Sequence, residues 1–172
     1  MREMLFIKKT NKERNVRLFK PKWMNANETK TLAAVQGIKD EKILYEVAMK
    51  SPHKLAVEAA IAGIQDERQL YWLVRENKMG LEDRIAALHK IKDNKLLTNI
   101  AMAEEVIYVL RISAVEQISE QNAMECVARF CDDASIRSEA VERLTVQTAL
   151  ENLGRYDMSA SVRSRAVKRL EN

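Results

Sequence analysis

Apolar and polar positions from about residue 27 to 170 follow a pattern that returns at a fixed interval. Six segments align, at 30–38, 56–64, 83–91, 110–118, 136–144 and 162–170. Their fifth place is always alanine: Ala34, Ala60, Ala87, Ala114, Ala140 and Ala166. An aliphatic residue follows each alanine, and Ile or Leu closes each segment, with steps of 26 or 27 residues between copies. A second unit lies between them, carried by Leu44, Leu70, Leu97, Met124 and Leu150, then Val47, Leu73, Ile100, Val127 and Leu153. Apolar positions at i, i+1, i+4 and i+5 make one stripe of a 3.6-residue helix and do not fit strand alternation. Each unit therefore predicts two helices of about ten residues, type A and then type B. Asp40, Asp66, Asp93 and Glu120 stand where they can cap the A helices. Ser51-Pro52 opens one B helix, whereas 102–106 carries no breaker and leaves that A–B turn the least defined. A ten-residue helix is marginal alone. Stacked units bury both sides of every internal pair, and the alanine column marks where a B helix approaches its neighbour closely.

The second helix carries a further signature, hydrophobic–Arg–x–x–Ala–Val. It stands as Leu110-Arg111 with Ala114-Val115, Ile136-Arg137 with Ala140-Val141, and Val162-Arg163 with Ala166-Val167. This pattern resembles the HEAT-like α-solenoid repeats, especially the short bacterial type, across roughly residues 27–170. The resemblance implies an all-α, right-handed α-solenoid of about five and a half two-helix repeats, with a short N-terminal arm outside them. It also implies that Arg84, Arg111, Arg137 and Arg163 form a structural ladder with Asp66, Asp93 or Glu120. The period is shorter than in standard units, the usual proline of the first helix is missing, and Thr31 and Val57 replace the arginine in the first two copies.

Charge divides the chain. Residues 1–22 hold eight Lys or Arg against two Glu, a net of +6, while 23–154 carry −5 and 155–172 carry +3. Four Gly and two Pro in 172 residues exclude a fold rich in tight β-turns, and the longest apolar runs, of about six residues, exclude a membrane span. Cys126 and Cys131 are too few for a disulfide framework or a structural zinc site. A reducing, cytoplasmic location is expected.

Reactive groups are sparse. His53 and His89 have no ligand-spaced partners, no glycine loop suits a phosphate, and neither a catalytic residue, a metal nor a cofactor is expected. Binding is the better expectation. Tyr45 and Tyr71 share one column of the A helices, and Trp72 falls in a column that is otherwise polar. Aromatics on a solvent face suit a protein partner. The competing reading folds Trp72 over the neighbouring loop at 77–80. A second surface lies on the B helices, where small Ala33, Gly37, Ala59, Ala62 and Gly63 give way to charge farther along.

The first 26 residues stand apart as a basic arm, and 27–172 form the repeat domain. Two apolar runs, 4–7 and 16–19, suggest a hairpin that docks as an end cap over the small-residue face. The alternative is nucleic-acid contact through Lys8, Lys9, Lys12, Arg14 and Arg17 of the arm and Arg165, Lys168 and Arg169 of the last helix. The expectation is thus a non-enzymatic protein-interaction or scaffold module, with nucleic-acid binding as the alternative, no membrane partner, and self-association left open.

Overall fold

A computed structural model of the chain describes residues 21–171; residues 1–20 and 172 lie outside the described residues. The hairpin and residues 1–20 of the arm fall there, while the arm's last six residues, 21–26, are described. Within the described residues a 3-10 turn, Lys22–Met24, precedes eleven α-helices, and there is no strand. The B-type helices are α1 (Glu28–Gln36), α3 (Lys54–Gly63), α5 (Leu81–His89), α7 (Tyr108–Gln117), α9 (Ala134–Arg143) and α11 (Ala160–Leu170). Between them run the A-type helices α2 (Glu41–Lys50), α4 (Glu67–Arg75), α6 (Asn94–Met102), α8 (Gln121–Phe130) and α10 (Gln147–Tyr156). Each A-type helix packs on the B-type helix that follows it, and each type packs on its own kind in the next unit. The result is two layers of helices with one core between them. Among the described residues no helix is long and apolar enough to cross a membrane.

Local chemistry starts three of the A helices where the sequence places them, whereas Ser51 ends α2 and the helix expected to open at Ser51-Pro52, α3, begins at Lys54. Asp40, Asp66 and Asp93 accept from the backbone N–H groups of Lys42, Arg68 and Lys95, satisfying donors that a helix N-terminus leaves free. Glu120 holds the same position before α8 but makes no side-chain cap bond. The extra residue of the 27-residue steps lies in the A–B turns, which run five residues at 76–80 and 103–107 against three at 51–53, 131–133 and 157–159. The turn without a breaker closes through Val106, whose N–H donates to Ala103 and whose side chain is buried.

The alanine column runs through the centre of the core. Ala60, Ala87, Ala114, Ala140 and Ala166 have no exposed surface, and Leu70, Leu73, Leu97, Ile100, Met124 and Val127 are buried in the same core. Gly63 shows the same closeness at a helix end: a Cβ there would lie 2.8 Å from Leu44 Cδ1. Ala114→Leu, in the middle of the array, is expected to lower stability by about 1–3 kcal/mol through overpacking, read as a drop in the denaturation midpoint. An unchanged midpoint would contradict the register.

Two hydrogen-bond ladders tie neighbouring units together, and one differs from expectation. Arg84, Arg111, Arg137 and Arg163 do not pair with Asp66, Asp93 or Glu120. Those acids lie at the B–A turns, one helix length of about 15 Å from the A–B turns where the arginines sit. Arg84 Nε donates to Val74 O and Arg111 Nε to Ala101 O, both at the C-terminal end of the preceding A helix. Arg163 Nη1 donates to the carbonyls of Asp157 and Met158 in its own turn. The carboxylates that bridge units are Asp133, 3.4 Å from Arg111, and Asp157, which takes both arms of Arg137 at 2.9 Å. Among the described residues Arg84 has no such carboxylate bonded to it, and its buried Nη2 has no partner. Burial pulls the Arg84 pKa below its usual value, opposed by the charge of Glu76.

The second ladder was not foreseen from the sequence. The first residue of an A helix reaches the backbone amides of the next B–A turn. Glu41 accepts from Gln65 and Asp66, Glu67 from Lys92 and Asp93, Asn94 from Ser119 and Glu120, and Gln121 from Thr145. Every rung is a side-chain oxygen on an exposed amide pair or a single amide, repeating with the units. At the start of the array, Trp23 is buried against α1. Beside it the Asn25 carbonyl accepts from Thr31 Oγ1 and His53 Nε2.

Candidate partner-binding groove

Helices α2 and α4 lie side by side in the A layer, and their phases decide what each shows to solvent. Leu44, Val47 and Ala48 of α2 and Leu70, Leu73 and Val74 of α4 are buried. Helical periodicity then turns Lys42, Tyr45, Glu46, Met49 and Lys50 outward on one helix and Gln69 and Trp72 on the other. Together these seven residues line an open groove of about 620 Å³. Trp72 is 56% exposed. It is therefore not buried over the 77–80 turn. Tyr45 is half-buried in the groove, and burial raises its hydroxyl pKa, with the charge of Glu76 adding to the effect.

Tyr71 plays a different part from Tyr45, although both occupy one sequence column. Its ring meets that of Trp72 edge to face, 5.2 Å apart and inclined at 74°. The Arg75 guanidinium stands 5.1 Å from the Tyr71 ring and 5.6 Å from the Trp72 ring. Arg75 also donates to the Tyr71 hydroxyl and pairs with Glu105 in the turn before α7. Tyr71 thus braces Trp72 from behind instead of lining the groove. The indole is held by a T-shaped contact on one side and a cation on its face, which leaves little rotamer freedom to lose on binding.

The sequence reading missed Met49, Lys42, Lys50 and Gln69. The column of Met49 runs Met49, Arg75, Met102, Arg129 and Arg155, so the sequence by itself does not single Met49 out. The sequence reading also missed a smaller groove of about 380 Å³ between α8 and α10, lined by Phe130 and Tyr156 with Arg129, Asn152, Leu153 and Asp157. Phe130 and Tyr156 are 61% and 75% exposed, and Arg129 lies 5.2 Å from the Phe130 ring.

The basic candidates fare unevenly. Lys8, Lys9, Lys12, Arg14 and Arg17 lie outside the described residues. Arg165 pairs with Glu142 at 2.9 Å, and Arg169 donates to the Leu144 carbonyl. Lys168 is exposed beside them on α11 and also has an interaction within the chain. Of the small B-face residues, Ala33, Gly37, Ala62 and Gly63 are exposed and Ala59 is half-buried. Buried Cys131 accepts from Arg111 Nη2 at 3.3 Å, Cys126 is half-buried, and both thiols are free. Among the described residues no group of three or more His, Cys, Asp or Glu is placed to hold a metal. No protein-family model, no curated protein and no solved structure matches the chain.

Proposed function

We propose that this chain is a non-enzymatic, cytoplasmic interaction module of the HEAT-like repeat type, whose α2–α4 groove binds a protein partner. In this reading the alternating helices form a right-handed solenoid of about five and a half units. The recurring buried columns and the packing of like helices on like support it. Free thiols fit a reducing compartment.

One observation carries the proposal. Trp72, in contact with Tyr71 and Arg75, is more than half exposed beside Tyr45 and Met49 in an open groove. Large aromatics in such a setting are the residues that dominate binding energy at interfaces. The alternative, nucleic-acid contact, keeps the +6 charge of residues 1–22, but Arg165 and Arg169 are engaged within the chain.

Trp72→Ala separates structure from binding. Its helical CD signal is expected to stay unchanged and its stability to fall by no more than about 1–2 kcal/mol, the worth of one edge-to-face pair and one exposed cation–π contact. Its protein partners are expected to vanish from a pull-down performed after nuclease treatment. A large loss of stability, or partners retained by the variant, would remove the groove as the binding site. Capture that disappears with nuclease alone would favour the nucleic-acid reading.

A further inference from the structure

The charges around the groove narrow the kind of partner it fits. The floor is apolar: Tyr45, Met49 and the face of Trp72. Lys42 and Lys50 stand on the α2 rim with Glu46 between them, and α4 contributes only the neutral Gln69 to the polar lining. Lys42 has no acidic partner among the described residues. Lys50 is tied to Glu46 at 3.6 Å with both side chains 56% exposed. A pair so open to water contributes little and can be exchanged for a better one. Arg75 stands behind the indole but is paired with Glu105, and the charge of Glu76 also reaches Tyr45, so the cations free to meet a ligand are Lys42 and Lys50 on the α2 rim. The Gln69 amide is turned toward Asp66, its Nε2 3.5 Å from that carboxylate, and its buried Oε1 has no donor among the described residues. The ten residues of α2 give the groove a length of about 15 Å, room for a short segment and not for a flat domain surface.

Resting on the reading of the groove as a partner site, we infer that its occupant is a short acidic peptide segment of another protein. One apolar side chain, aromatic or Leu, inserts between Tyr45, Met49 and Trp72. Neighbouring Asp or Glu carboxylates meet Lys42 and Lys50. The chain's own first 22 residues carry the wrong sign for this place, with a net charge of +6.

Random peptides displayed on phage and panned against the full chain test this, with Trp72→Ala as the counter-selection. The expected pool pairs an aromatic or Leu with two or more Asp or Glu. A synthetic peptide from that pool is expected to lose at least about tenfold in affinity on Trp72→Ala, the loss of one hot-spot side chain. It is expected to lose several-fold on the double change Lys42→Glu with Lys50→Glu, and to weaken further as salt is raised. CD spectra of both variants matching the parent keep the readout free of misfolding. Peptides that depend on Trp72 but are neutral or basic would overturn the acidic partner and leave the groove standing. A pool with no Trp72 dependence would overturn both. Competition by a synthetic peptide of residues 1–20 would show that the groove accepts a basic segment, and would also overturn the inference.

Discussion

Asp157→Ala is expected to lower stability by about 3–5 kcal/mol, the cost of leaving a buried cation without its counter-charge. Arg137 and Asp157 are only 7% and 5% exposed as side chains, and the carboxylate takes Nε and Nη2 of the guanidinium as well as the Ser159 amide. The remaining partners of Arg137, the Cys131 and Asp132 carbonyls, carry no full charge. At roughly 2–4 °C for each kcal/mol in a chain of this size, the melting temperature should fall by about 6–20 °C. Removing both ends of the pair with apolar residues of similar volume should cost much less than removing one. The pair ties α9 to the turn before α11, so hydrogen exchange should show α10 and α11 losing protection before the rest of the array.

The same pair predicts an acid limit. Burial by itself pushes the Asp157 carboxyl upward, but bonds from Arg137 and the Ser159 amide, with the charges of Arg137 and Arg163, outweigh it and hold the carboxyl below its ordinary value. For Arg137, the bond from Asp157 leads in raising the guanidinium pKa, against burial. A carboxylate depressed in the folded state stabilises fully above its unfolded pKa of about 4 and progressively less as pH falls through the folded value. Asp157→Asn should lose that component of the acid transition while keeping the shape of the side chain. An acid transition identical in the variant and the parent would refute the coupling.

The second large effect is expected at the opposite end. Trp23→Ala should cost about 3–5 kcal/mol, as for an aromatic removed from a core. Trp23 is 4% exposed although it lies in a single 3-10 turn, and α1 is a B-type helix with no A-type helix before it among the described residues. The indole therefore fills space that a preceding helix covers elsewhere. Trp23→Phe should recover most of the loss, and protection should fall first in α1 and α3. If either variant melted as one cooperative block with uniform loss of protection, the neighbour-to-neighbour account of this array would be wrong.

Helix phase and the starts of three A helices follow from the sequence alone, whereas Ser51-Pro52 does not open a B helix, which starts at Lys54 behind His53. The alanine column had to lie on one helical stripe because its neighbours at i+1 and i+4 are aliphatic, and Ala60, Ala87, Ala114, Ala140 and Ala166 are buried. Asp40, Asp66 and Asp93 cap their helices because an N-cap bond spans only two or three residues. Interactions across units were beyond that reach. Asp66 and Asp157 look alike in a sequence, yet which one meets an arginine depends on which turns stacking brings level. Glu41 and Glu67 read as ordinary first-turn acids until the next unit placed its amides against them. Tyr45 and Tyr71 share a column, but one lines a groove and the other braces Trp72, because Arg75 and Glu105 occupy the far side of Tyr71 alone. Local spacing determines which face of a helix is apolar. The offset between successive helices, a property of packed surfaces some 25 residues apart, decided what each face meets.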